Sequence, residues 1–117
     1  MKVLTSLLVG LVLAPAAASA STVSECQAKL EILTVRTSAA AFLGPKAESD
    51  RAGLLGKLAD ARTKLDEGKP VDASVKLVQF RDKAVALAAT GKLDPVAVSA
   101  LQAGADDALA CVSALAT

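Results

Sequence analysis

The chain has 117 residues, with 13 basic and 12 acidic side chains and no histidine. That length allows one domain, and the even charge balance lacks the basic excess of a nucleic-acid binder or a polybasic membrane-surface protein. Phe42 and Phe80 are the only aromatic residues; platforms that stack bases or sugars need more, so the core has to be built from Ala, Leu and Val.

The chain opens as a targeting segment. Lys2 gives a positive start, Val3 to Leu13 is an apolar run, Pro15 breaks it, and Ala18-Ser19-Ala20 supplies the small-x-small pattern of a cleavage site. Cleavage after Ala20 divides the chain into a signal peptide at 1–20 and a single helical-bundle domain at 21–117. The rival is an uncleaved anchor, but a spanning helix needs about 20 apolar residues and this run stops short. Cys26 stands too far beyond the cut for a lipoprotein anchor. Lys2 departs with the leader, so the remainder is formally neutral. The expectation is an exported bacterial protein, periplasmic or extracellular, with no membrane insertion after cleavage.

Four amphipathic segments follow. The first runs from about Val23 to Leu43. Thr22 and Glu25 fit a capping box; Cys26, Leu30, Leu33, Thr37 and Ala40 recur at helical spacing, and Gly44-Pro45 ends the run. The second covers about Lys46 to Glu67, with Leu54, Leu58, Ala61 and Leu65 in line and Gly68 as a left-handed terminator. The third begins at Pro70, suited to a first helical turn, and carries Ala73, Leu77, Phe80, Ala84 and Leu87 before Gly91. The fourth has Asp94 as N-cap and Pro95 as its first helical residue, with Val98, Leu101, Ala105, Ala108, Val112 and Leu115 in line. Acid-before-base pairs four apart (Glu25 with Lys29, Asp60 with Lys64, Asp72 with Lys76) predict ion pairs along the exposed faces. No stretch alternates as a half-buried strand would.

Short connections make successive helices antiparallel neighbours, which predicts an all-α, four-helix up-down-up-down bundle. In that topology the start of the first helix and the end of the last share one end, where Cys26 and Cys111 meet. Two cysteines in an exported chain also read as a disulfide; two free buried thiols are the alternative.

From about Gly44 to Val112 the pattern resembles the FIMAH domain, a helical module of membrane-associated and secreted bacterial hydrolases. The residues that carry the likeness are Leu58, Ala61 and Leu65, the turn Asp66-Glu67-Gly68-Lys69, then Ala73, Leu77, Phe80 and Val85, Gly91-Lys92-Leu93-Asp94, and finally Leu101 and Ala105. The resemblance implies attachment or partner binding beside a catalytic domain, and it implies no catalytic residues. This chain differs in standing alone and in carrying the cysteine pair.

Without histidine, Ser-His-Asp and Cys-His nucleophile systems are excluded, and the Ser-x-x-Lys spacing is absent. Asp66-Glu67 and Asp106-Asp107 are adjacent carboxylates whose side chains diverge, which makes poor calcium sites; no metal and no cofactor is expected. Gly53, Gly56 and Gly104 fall inside helices, where they suit close packing. Arg36, among Thr34, Thr37 and Ser38, is either an anion-binding group or part of a solvated face. Ile32, Val35, Ala39 and Phe42 form a second apolar stripe on the first segment, which is then either the most buried helix or a partner face. The expected function is a non-catalytic interaction or attachment module that binds an envelope or secreted protein, or a second copy as a homodimer. Ile32, Val35 and Phe42 would form its surface, with Arg36 at the rim. A carrier of a small apolar ligand between the helices is the alternative, and an enzyme the least supported class.

Overall fold

The computed structural model describes residues 22–116; the expected signal peptide and its cleavage site lie outside them. Among the described residues four helices follow in order: α1 (Val23–Ala39), α2 (Ala47–Asp66), α3 (Pro70–Ala89) and α4 (Pro95–Ala116). Each packs against its two neighbours around a square, with α1 against α2 and α4, and α3 against α2 and α4, while the diagonal pairs do not approach one another. This is the up-down-up-down bundle expected from the short connections.

The helix ends are set by local chemistry. At the start of α1 the Thr22 hydroxyl accepts from the Glu25 amide at 3.1 Å and the Glu25 carboxylate accepts from the Thr22 amide at 3.0 Å, so two exposed donors are satisfied reciprocally. The start of α4 is capped by Asp94, whose carboxylate accepts from the Ala97 amide at 3.2 Å. The ends of α2 and α3 share one solution. Gly68 and Gly91 take left-handed φ values of 76° and 74°, and the amides of Lys69 and Lys92 turn back to the carbonyls of Lys64 and Leu87, each at 2.8 Å. The Gly68 and Gly91 amides donate to the carbonyls of Leu65 and Ala88 at 3.0 and 3.1 Å, which completes the paired reverse bonds of a Schellman motif at each end.

The first helix ends earlier than its sequence suggests. It stops at Ala39, and Ala40 is extended, so the chain from Ala40 to Leu43 leaves the helix. Leu43 donates its amide to the Lys92 carbonyl at 2.9 Å and Asp94 donates to the Ala41 carbonyl at 3.1 Å. This single antiparallel bridge pairs Phe42 with Leu93 and joins the α1–α2 and α3–α4 connections. Helical backbone bonds at Ala40 to Leu43 are exchanged for tertiary ones, which no local pattern encodes.

The core is the expected stripe of each helix: Cys26, Leu30 and Leu33; Leu54, Leu58, Ala61 and Leu65; Ala73, Leu77, Phe80 and Ala84; Leu101, Ala105, Ala108 and Val112. Phe42 and Leu93 close it at the connection end. Thr37 is a buried polar residue, and its hydroxyl donates to the Leu33 carbonyl one turn back at 2.8 Å. At the other end Cys26 and Cys111 form the disulfide, with alpha carbons 5.6 Å apart.

Three ion pairs tie the seams between helices, beside others that run along a single helix, such as Arg51 with Glu48. Lys29 reaches Asp107 at 3.0 Å, Arg62 reaches Glu31 at 2.7 Å, and Arg81 reaches Asp106 at 3.1 Å. Lys57 adds a hydrogen bond to Gln79 at 3.1 Å between α2 and α3. The three expected pairs along single helices are not what forms: Glu25 caps α1, Lys29 turns to α4, and Lys64 pairs with Glu67. Lys29 takes a lateral partner because a lysine flanking a seam lies beside the adjacent helix as well as its own, whereas Lys64 reaches Glu67 at the end of its own helix. Exposed pairs of this kind contribute at most about 1 kcal/mol each.

Candidate interaction surface

Helix α1 is engaged on three sides. Cys26, Leu30, Leu33 and Thr37 enter the core. Towards α2, the Gln27 amide donates to the Arg62 carbonyl at 3.1 Å and to Asp66 at 2.8 Å, beside the Glu31–Arg62 pair. Towards α4, Lys29 holds Asp107. Closer to the C-terminal end of α1 its side chains press against the backbone of α4: a Cβ added to Gly104 would lie 2.8 Å from Leu33 Cδ1 and 3.3 Å from an Arg36 guanidinium nitrogen. Gly104 therefore permits the close approach expected of it. Gly56 does not share that role, since a Cβ there meets nothing within 4 Å.

The fourth side faces solvent. Ala28, Ile32, Val35 and Ala39 recur at spacings of four, three and four, which places them on one stripe opposite the core; Ile32 is 52% and Val35 59% exposed. Arg36 borders the stripe on the α4 side and makes no ion pair among the described residues. The polar residues around it do not converge into an anion site. Thr34 donates to the Leu30 carbonyl at 2.8 Å and Thr37 is buried on the opposite side of the helix.

Phe42 is not part of this surface. It lies beyond the end of α1, only 8% exposed, with the Arg51 guanidinium 4.9 Å from its ring centre. Arg51 also donates to the Ala40 carbonyl at 3.0 Å and pairs with Glu48. The extended turn after Ala39 carries Phe42 inward, so its place in the sequence-derived stripe depended on a helix that ends three residues sooner.

A second exposed stripe escaped the sequence reading. On α3, Val71, Val75 and Val85 are exposed and Val78 is half-buried. With Asp82 and Ala89 they repeat at alternating spacings of four and three, on the side away from Ala73, Leu77, Phe80 and Ala84. The signal was present as valines set two residues out of step with the core stripe. Val96 and Leu43 are further exposed apolar residues, at the connection end.

A depression of about 160 Å³ also lies at the connection end, lined by Leu43, Gly44, Pro45, Lys46, Asp50 and Lys92. It opens among the connections and not between the helices, where a carried apolar ligand would sit. Asp106 and Asp107 diverge to separate helices, Arg81 on α3 and Lys29 on α1. Among the described residues no three acidic or cysteine side chains cluster as metal ligands, and no helix is long and apolar enough to cross a membrane.

What the structure defines is therefore a disulfide-closed, all-α four-helix bundle with two unpartnered apolar stripes. No family model, curated protein or solved structure matches the chain.

Proposed function

We propose that the protein is an exported, non-catalytic interaction module that binds a protein or envelope component through the outward face of α1. The observation that carries this reading is the position of Ile32 and Val35. They sit on the one side of α1 that neither core nor seam occupies, and both are more than half exposed. Apolar side chains grouped on an exposed helix face favour association, because covering them removes apolar area from water.

Export is supported by the leader-like first 20 residues and by the Cys26–Cys111 bridge, a bond that persists in oxidising compartments. The resemblance to the FIMAH domain points the same way, towards attachment. The absence of histidine removes the commonest general base from the chain.

The reading is tested by cross-linking the mature protein in its own envelope fraction, beside a variant with Ile32→Asp and Val35→Asp. Capture of a defined species by the native chain and its loss in the variant is the expected result, with melting temperatures within a few degrees of one another. A variant that melts far lower yet captures the same species would overturn it.

A further inference from the structure

The two exposed stripes lie on α1 and α3, the helices that do not approach each other across the bundle. They therefore occupy opposite corners of the molecule, and a single chain cannot cover one with the other. Their polar residues are complementary. The α1 stripe is bordered by Arg36, a cation without an ion-pair partner among the described residues. The α3 stripe has Asp82 in its middle, and among the described residues that carboxylate's only ion-pair contact is at 4.0 Å, to its neighbour Arg81, whose guanidinium is engaged with Asp106 at 3.1 Å.

Pairing α3 with a second α3 would bring Asp82 from each copy into one apolar seam, burying like charges without a counterion. Pairing α1 with a second α1 would leave the longer α3 stripe in water. Pairing α1 of one copy with α3 of the next covers both stripes and supplies Asp82 with a cation. We propose that these stripes are the two halves of a head-to-tail contact between copies of this chain. Ile32 and Val35 of one copy pack against Val75, Val78 and Val85 of the next, and Arg36 meets Asp82. The proposal rests on the reading of α1 as an association face and names its occupant.

The contact is heterologous, because each half uses a different surface. With the halves on opposite corners it leaves one face free at each end, so further copies add in the same sense. A few valine-sized side chains on each side make it small against the roughly 1,600 Å² of a standard stable interface. Association is accordingly weak and builds where copies are crowded.

The test is analytical ultracentrifugation of the mature, disulfide-bonded protein over a concentration series reaching roughly millimolar chain, the range in which weak contacts populate. The native chain is expected to show an average mass that climbs past the dimer without a plateau. Val35→Asp blocks the α1 half and Val75→Asp the α3 half, so each variant alone stays monomeric. Mixed together they form a one-to-one dimer and stop, since one intact half of each kind remains. Should either aspartate variant melt well below the native chain, the charge pair replaces it. Arg36→Glu and Asp82→Arg each weaken association by about tenfold or more, and the double variant recovers it.

A Val75→Asp chain that still dimerises would show α1 pairing with itself and overturn the proposal. So would a mixture of the two monomeric variants that yields no dimer. A native chain that stays monomeric throughout, yet captures an envelope species through Ile32 and Val35, sinks the head-to-tail contact and leaves α1 as an association face. Loss of Val35 that alters stability but neither self-association nor capture removes both readings.

Discussion

The two ends of the bundle are closed by different means. At the end where α1 begins, Cys26 and Cys111 are joined covalently across a sequence separation of 85 residues. At the opposite end the two connections meet through a pair of backbone hydrogen bonds between Ala41 to Leu43 and Lys92 to Asp94, with Phe42 beneath the Arg51 guanidinium. The first closure holds in the unfolded chain as well, and stabilises chiefly by removing conformations there. The second exists only when folded, so it opens whenever the local structure does. An alanine-rich core leaves both closures with more to do than the same devices would have in a larger bundle.

Removing the covalent end should have the largest effect. Replacing Cys26 and Cys111 with serine is expected to cost about 3 kcal/mol, lowering the melting temperature by roughly 15 °C. The helical circular-dichroism signal should remain, and its loss at room temperature would show that the bundle depends on the bridge to form. Phe42→Ala tests the other end. Truncating a nearly buried phenylalanine costs about 3 kcal/mol or somewhat less where the site can collapse, and the Leu43 and Asp94 amides should then exchange hydrogen much faster than those in mid-α2. If exchange quickens equally throughout, the connection end is no separate unit.

Arg51→Ala is the next step down. It removes a hydrogen bond to Ala40 and a cation over the Phe42 ring, for about 1–2 kcal/mol together, read as a shift in denaturant midpoint. A smaller loss than that of a surface lysine would mean the arginine closes nothing. The smallest effects belong between the ends. Gly56→Ala lies in an exposed helix interior with open space around it, and should stabilise by about 0.5–1 kcal/mol. Gly104→Ala has the same propensity gain but drives a methyl into Leu33, so its midpoint should fall; a rise would show that α1 and α4 have slack.

Much of this fold was legible because its determinants are local. The capping box at Thr22 and Glu25, the Asp94 cap, the Gly68 and Gly91 terminators and the four core stripes each depend on spacings within a few turns. The disulfide followed from topology, since three short reversals bring the start of α1 and the end of α4 to the same end of the bundle. The failures share a different cause. Lys29 and Lys64 chose partners that periodicity along one helix cannot rank, and Lys29 found its partner on another helix. The end of α1 was set by pairing with Leu93, far along the chain, and that pairing took Phe42 inward. Of the surface residues singled out, Ile32, Val35 and Arg36 lie together on α1 and are exposed, while Phe42 is core. The α3 stripe was not legible because a complete core stripe already accounts for the helix, and valines on its far side carry no sign in the sequence of whether they meet solvent or a neighbour.

The Cys26–Cys111 bridge has a mechanical consequence as well. A pull applied to the polypeptide on either side of the bridge is carried from one sulfur to the other, and the helices between them lie outside the line of tension. Such a pull therefore straightens only chain outside the bridge and leaves the helical segments between Cys26 and Cys111 unloaded. For a protein tethered on one side and bound on the other, the bundle and its exposed stripes would keep their shape under load, until the bond itself is reduced.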